Sequence, residues 1–503
     1  MGEKKNSKLK TLIRIISLTM LFGVSIGPKV VFSQEQQYVQ VPALIHISSN
    51  VSDGRYAPEQ IIDIAVKAGF KVVVFTEREV MRWEYGIWPL RRILKKVIKN
   101  NSLETYGIKN YLKKINDLQA INPNVLLVPG IESTPFYYWS GSVFKHDFTL
   151  HNAHKHLLVL GLNTVKDIKK MPIVANPHTL IKAFKLSDLL KLWPGLFLAL
   201  GLILVLINSQ KTFRNSLEKQ ESAQRKIFGI IISVISILFL INNFPFRESL
   251  FDQYHGDAGV LPYQNMIDYI NQKNGLVFWA HPESENVSQT EHVKISTKEH
   301  TQDFYATKDY TGFNVFYDGY NNIGRPEKLW DRVLLEYVQG KRSKPVWAIG
   351  GLAFDFSGDL KQAVKDLRNI VLLDSFSNQS FMQALNSGKV YVVRGLRSEN
   401  FVLDDFSVYD PVSGQSRIMG QSLKPSSAQV MVKIKGEFKV DAADNLLSIH
   451  LIKNGEIIKT FKTSGSFEIE YPDDLNDFNN KAFYRIEIRS HGLHVIANPI
   501  FLK

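Results

Sequence analysis

The sequence contains no cysteine. Disulfides, thiolate metal sites and cysteine nucleophiles are therefore excluded, although the compartment stays open, because many exported proteins lack disulfides. It also lacks internal repeats, and its hydrophobic fraction is that of a globular chain, so a packed core is expected rather than disorder. Acidic residues are in deficit: 61 Lys and Arg stand against 48 Asp and Glu, a formal charge of +13. A basic surplus can serve nucleic acid, an anionic membrane surface or an acidic substrate. Much of it lies beside apolar segments, at Lys4, Lys5, Lys8, Lys10 and Arg14, and again at Lys211, Arg214, Lys219, Arg225 and Lys226. That placement fits membrane topology better than nucleic acid.

At the N-terminus, basic residues precede an apolar stretch, Ile15 to Ile26, followed by Pro28 and Phe32-Ser33-Gln34. Residues 1–33 therefore read as a signal peptide or an N-terminal anchor. Two further apolar runs lie mid-chain, Leu192 to Ile207 and Ile227 to Ile241. They are apolar on every side, which favours spans over buried core helices, although each is slightly short of the roughly 20 residues a span needs. Residues 190–246 are thus expected to form a transmembrane hairpin. Its loop, 208–226, carries five of the cations named above and is expected to be cytoplasmic. The main domains would then be extracytoplasmic (periplasmic or outer face), which agrees with an exported N-terminus. Membrane lipid is the implied partner.

Residues 41–185 and 250–395 alternate short apolar strands with helices. A helix from Pro58 to Ala68 ends at Gly69 and leads into Lys71 to Thr76. Strands Val125 to Val128, His156 to Gly161, Leu276 to Ala280 and Val346 to Ile349 follow. This rhythm predicts a parallel α/β barrel with its chemistry on the loops after the strands. Residues 396–503 read as strands separated by turns such as Asn454-Gly455, an all-β sandwich-like domain. Met81 to Lys99 mixes aromatics, aliphatics and cations. It is expected to be a helix, lying on an anionic lipid surface or simply solvated.

Ten of the thirteen histidines fall between His46 and His300, several where a strand ends. Imidazoles and carboxylates gathered on strand-end loops are what a hydrolytic zinc, manganese or iron site needs, the metal lowering the pKa of bound water. His146, His151, His154 and His178 are read as structural or exposed.

The order of these residues also resembles a known family. His46 to Arg78 resembles the opening motifs of the polymerase-and-histidinol-phosphatase (PHP) family: His-x-His, Ser-Asp-Gly, a helix, an apolar strand and Thr-Asp-His. Gly130-Ile131-Glu132, His156-Leu157-Leu158 and His281-Pro282 look like the later motifs, and residues 350–355 align near the last Asp-x-His. VPGIESTPFYYWSG, GLVFWAHPES and the terminal ANPIFLK look like the membrane or exported branch related to carbaryl-hydrolase-like PHP proteins. The resemblance implies a distorted (β/α)7-type barrel from Val41 to about Leu396, interrupted by the hairpin. It also implies metal ligands at His46, Asp53, Glu132, His156, His281 and Asp355. Three positions depart from the pattern: Ser48 replaces the second histidine, Thr76-Glu77-Arg78 replaces Thr-Asp-His, and Ala353 opens the last motif. Arg78 repels a cation but pairs well with carboxylates and phosphate. The expectation is a degenerate site, with Arg78 and Glu132 as its working residues, in a binding or regulatory protein. The alternative is a metal-dependent hydrolase of an anionic or phosphoester substrate. Nucleic-acid processing fits neither the export signal nor the missing ligands.

Overall fold

The computed structural model describes residues 38–503, apart from 143–144, 146, 175, 177, 179–183, 210–215, 246–248, 291, 355–357, 396–397, 439–445 and 476–480. The expectations for residues 1–33, for His146 and for Asp355 lie outside the described residues.

The first third of the fold comprises β1 (Val39–Ile47), α1 (Pro58–Lys67), β2 (Val72–Arg78), β3 (Arg82–Gly86), β4 (Lys95–Lys99), α2 (Ile108–Ile121) and β5 (Leu126–Ser133). Then come β6 (Tyr138–Ser140), β7 (Thr149–His151) and β8 (Leu157–Leu160). Helices α3 (Pro194–Ser209), α4 (Ser216–Asn242) and α5 (Leu261–Gln272) lead to β9 (Leu276–Trp279), β10 (Asn286–Gln289), β11 (Lys294–Thr297) and β12 (Gly312–Phe316). After α6 (Leu329–Val338) follow β13 (Trp347–Gly350), β14 (Leu367–Leu373), α7 (Asn378–Asn386) and β15 (Val390–Arg394).

Helix α1 starts on Pro58, where a missing N–H costs nothing, buries Ile61, Ile62, Ile64 and Ala65, and gives way to Gly69 at φ +86°. Strand β2 is buried on both faces: Val72 and Val74 join one apolar cluster, Val73 and Phe75 another. That explains its unbroken hydrophobic run.

The long sheet runs β13-β12-β9-β8-β5-β2-β1-β14-β15 and continues into the C-terminal region. β1, β2 and β5 pair in parallel, as do β9, β12 and β13. The expected all-parallel arrangement is corrected at β8, which runs antiparallel to both β5 and β9. No crossover helix separates β5 from β8 among the described residues. The short strands β6 and β7 fill that connection, and a chain that turns back without crossing over pairs antiparallel. Beyond β13, the Leu352 N–H donates to the Ile45 carbonyl at 2.9 Å and the Ser48 N–H to the Phe354 carbonyl at 3.2 Å. The segment that follows β13 is thereby bonded to β1 and to Ser48 just beyond it.

Met81 to Lys99 is not a helix. β3 and β4 form an antiparallel hairpin with Arg82 opposite Lys99 and Gly86 opposite Lys95. Pro89 interrupts any helical continuation, and alternation along Arg82–Gly86 sets Trp83 toward the ring of Tyr137 at 4.9 Å.

Helices α3 and α4 belong to two segments long and apolar enough to cross a membrane, Leu186–Ile207 and Lys219–Asn242. They pack closely because Gly201 and Gly229 face each other; a Cβ on either would meet the other's carbonyl oxygen at 2.8 Å.

The C-terminal region holds β16 (Phe401–Tyr409), β17 (Ser416–Ile418), β18 (Ser422–Leu423), β19 (Gln429–Phe438), β20 (Leu446–Lys453), β21 (Glu456–Ser464) and β22 (Phe467–Asp474). β23 (Ala482–Ser490), β24 (Leu493–Ala497) and β25 (Ile500–Leu502) complete it. The sheet β17-β16-β19-β22 shares one apolar cluster with strands β20, β23 and β24. β15 pairs with β24, so the main sheet runs on into this region without a break.

Candidate functional site

The ends of the strands that carry the predicted residues converge on a cavity of about 150 Å³. β1 delivers His46 at a bulge, in left-handed backbone with φ +68°. Such a conformation costs a non-glycine residue on the order of 1–3 kcal/mol and is retained where packing over-determines it. β2 ends in Glu77 and Arg78, and β5 carries Glu132. Because β8 is antiparallel, its beginning faces the cavity, and His156 immediately precedes it. His281 follows β9. Asn314 comes from β12, and Gly351 makes room for it: a Cβ there would lie 2.0 Å from the Asn314 amide nitrogen.

Glu132 is the hub. Its Oε1 lies 2.8 Å from Arg78 Nη1, 2.7 Å from His156 Nδ1 and 3.7 Å from His281 Nε2, and its Oε2 lies 3.1 Å from His46 Nε2. Asn314 Nδ2 donates to His46 Nδ1 at 3.0 Å, which leaves the His46 proton on Nε2, facing Glu132. Arg78 Nε donates to Asp53 Oδ2 at 2.8 Å. His156 Nδ1 is also 2.9 Å from His281 Nε2, and its own Nε2 is 3.1 Å from the Ala153 carbonyl.

Burial alone would raise the Glu132 pKa, but the Arg78 guanidinium, with His46 and His156, outweighs it and holds the carboxyl well below its ordinary value. Burial and then the Arg78 charge push His156 well below the ordinary histidine value. Its contact with Glu132 is therefore a hydrogen bond of a neutral ring rather than an ion pair. A neutral imidazole has one N–H to share between Glu132 and the Ala153 carbonyl.

Glu77, beside Arg78 in sequence, points away from this hub. It accepts from the Ser49 hydroxyl at 2.6 Å and the Ser52 hydroxyl at 2.5 Å. Burial pushes its pKa up to about 7 against these bonds. Alternation along β2 accounts for the split between Glu77 and Arg78.

Among the described residues, Glu132, His156 and His281 form the group whose ligand atoms lie within 4.8 Å of one another. For an ion with bonds of about 2.0–2.1 Å, tetrahedral ligands stand about 3.3 Å apart. The observed separations of 2.7, 2.9 and 3.7 Å straddle that value. Donor types and spacing would suit one divalent ion. Arg78 Nη1, 2.8 Å from Glu132 Oε1 and 2.9 Å from His156 Nδ1, sets a fixed positive charge against two of these three ligand atoms. As arranged, the residues do not fit an ion together with Arg78.

Of the predicted site residues, Glu132, Arg78, His46, His156 and His281 are brought together. Asp53 joins through Arg78 and lies outside the three-residue group. Sequence reasoning missed Asn314, Ser284 and Asn286, and it set aside His154, which lines the cavity. His151 stacks on Tyr138 with centroids 4.5 Å apart, and His178 is exposed. The paired glycines Gly350-Gly351 were the available signal that a side chain needs space there.

No family model matches the chain, and no curated protein matches it. Solved structures do. A two-domain protein from Bacteroides vulgatus, named as containing a PHP-like metal-dependent phosphoesterase, aligns over 90% of each chain at 11% identity with a TM-score of 0.34. A protein from Bifidobacterium adolescentis, named as a metal-dependent phosphoesterase, aligns over 62% of this chain and 87% of its own, at 11% identity with a TM-score of 0.26. At these levels of similarity the chemistry of the site follows from its own residues alone.

Proposed function

We propose that this chain is a membrane-anchored, extracytoplasmic PHP-like protein that binds a small phosphoester or carboxylate through Arg78 and does not hydrolyse it. In this reading, strands β1, β2, β5, β8, β9, β12 and β13 are the distorted barrel, and α3 and α4 anchor it with their connecting loop in the cytoplasm. The observation that carries the reading is the position of Arg78, whose Nη1 contacts two of the three candidate ligand atoms, Glu132 Oε1 and His156 Nδ1. A side-chain cation supplies charge there without activating water. Asp53 is the more exposed of the two carboxylates on Arg78, 26% against 3% for Glu132. A ligand anion would exchange with Asp53 and leave the buried pair intact. The cavity has room for several waters or a small anionic group.

A second reading, a one-metal hydrolase, is favoured by the spacing of Glu132, His156 and His281. It requires Arg78 to swing away, after which those three residues would hold the ion. A bound ion would supply Lewis acidity and a lowered water pKa.

Elemental mass spectrometry and phenyl phosphate titration of the detergent-purified protein separate the two. The binding reading expects no stoichiometric metal in the wild type, metal uptake gained in Arg78→Ala, and phenyl phosphate affinity lowered about 10–100-fold by that substitution. Stoichiometric metal in the wild type that vanishes in Glu132→Ala/His281→Ala would overturn it in favour of the hydrolase.

A further inference from the structure

The β3/β4 hairpin takes no part in the cavity chemistry. Beyond the paired strands, residues 87–94 form a tip on which Ile87, Trp88 and Leu94 are 61%, 76% and 52% exposed. Six cations, Arg82, Arg91, Arg92, Lys95, Lys96 and Lys99, stand in the hairpin against one acid, Glu84. Glu84 is already engaged by Arg82 and Lys95. Large apolar side chains beside a one-sign charge cluster are unfavourable in plain water.

The tip is fixed in space. The Gly86 N–H donates to the Tyr254 hydroxyl at 2.8 Å, and the Arg91 guanidinium lies 4.5 Å from the Tyr254 ring centroid. The Arg92 N–H donates to Asn242 Oδ1 at 2.9 Å, and its Nη1 donates to the Phe244 carbonyl at 2.8 Å. Asn242 Nδ2 in turn donates to the Pro89 carbonyl at 3.1 Å. Asn242 is the last residue of α4 and of the apolar segment Lys219–Asn242. The end of a membrane span lies at the polar boundary of the bilayer, so these bonds hold the tip at headgroup depth. Tryptophan is favoured at that depth, and arginine and lysine reach lipid phosphates from it.

We infer that the hairpin tip is a membrane-docking site for anionic phospholipid: Trp88, Ile87 and Leu94 enter the interface while Lys96, exposed beside them, meets the headgroups. The inference rests on the membrane-spanning reading of α3 and α4. Docking at a second point beside the helical hairpin sets the height of the cavity above the bilayer.

Because the chain has no cysteine, Trp88→Cys gives a single thiol for an environment-sensitive fluorophore. The full chain is reconstituted in phosphatidylcholine vesicles with and without phosphatidylglycerol, using brominated lipid as the quencher. A label at Lys113→Cys on α2, exposed in the structure, is the solvent control. The expected result is blue-shifted, quenched emission at position 88. Quenching should be stronger with phosphatidylglycerol and should lose that dependence in Lys96→Glu, while the control stays water-like. Water-like emission at position 88 in protein that floats with the vesicles overturns the docking site and leaves the spans standing. Quenching indifferent to phosphatidylglycerol overturns the headgroup contact. Failure to float at all overturns the spanning reading itself.

Discussion

Among the described residues, the arginine–carboxylate assemblies of Arg485 and Arg78 are built differently. Arg485 on β23 grips one partner, Asp331 on α6, through Nε at 2.7 Å and Nη2 at 2.8 Å. Both side chains are sealed, and the guanidinium lies 4.7 Å from the Trp330 ring centroid. This is a fork on a fork, closed on every side, and it joins the C-terminal strands to a helix of the α/β part. Arg78 divides its donors between Asp53 and Glu132, touches His156 and borders a cavity. The same pair of functional groups thus does two jobs. A sealed bidentate pair gives a ligand no access, even to the unpartnered Arg485 Nη1, whereas a shared, rim-facing guanidinium can exchange one partner. Burial of a charge pair is therefore no guide to function until its partners and its access are known.

The largest expected effect breaks the sealed pair. Asp331→Ala leaves Arg485 buried without a counter-charge and should cost about 3–5 kcal/mol of stability. Denaturant unfolding in detergent measures it. Phenyl phosphate affinity, read below the transition, should stay at the wild-type value; a parallel loss of binding would mean that the two assemblies are not independent.

A buried carboxylate with no arginine fork sharpens the contrast. Glu79 accepts from the Ser133 hydroxyl at 2.6 Å, and its second oxygen lacks a partner. Burial pushes its pKa from 4.5 up to about 8. The folded chain therefore keeps this proton where the unfolded chain has lost it. The resulting stabilisation is present below pH 4.5 and is lost as pH rises through about 8. Glu79→Gln carries no such titration. Relative to wild type it should gain about 3–4 kcal/mol on going from pH ~5 to ~8.5. Equal pH dependence in the two proteins would refute this account of Glu79.

The smallest effect separates the two arginines directly. Arg78→Lys keeps the charge but cannot reach Asp53 and Glu132 from one planar group, and should cost about 0.5–1.5 kcal/mol. Arg485→Lys loses a sealed fork and should cost more. The reverse order in thermal melts would contradict the distinction between rim and seal.

Much of the site was legible because its residues follow strand ends in order: His46, Glu132, His156 and His281 each adjoin an apolar strand readable from composition. Asn314 was not legible, since it sits inside an ordinary strand segment, GFNVF, and reaches His46 from 268 residues away in the chain. Met81 to Lys99 misled because its spacing of aromatics and cations suits a helix face as well as a hairpin, and Pro89 with Gly86 decided for the hairpin. The antiparallel sense of β8 was equally hidden, because strand direction depends on how the connection is routed and leaves no trace in the strand's own residues.

The sequence by itself determined that there are apolar strands, two mid-chain runs apolar on every side, and a carboxylate–histidine set with an arginine among them. These are local properties, written in hydrophobic periodicity and residue type. Only the tertiary structure decided that Arg78 turns toward Glu132 while Glu77 turns away, and that the hairpin tip bonds to the end of α4. Those choices depend on pleat, strand direction and contacts between residues far apart in the chain, which no local pattern encodes.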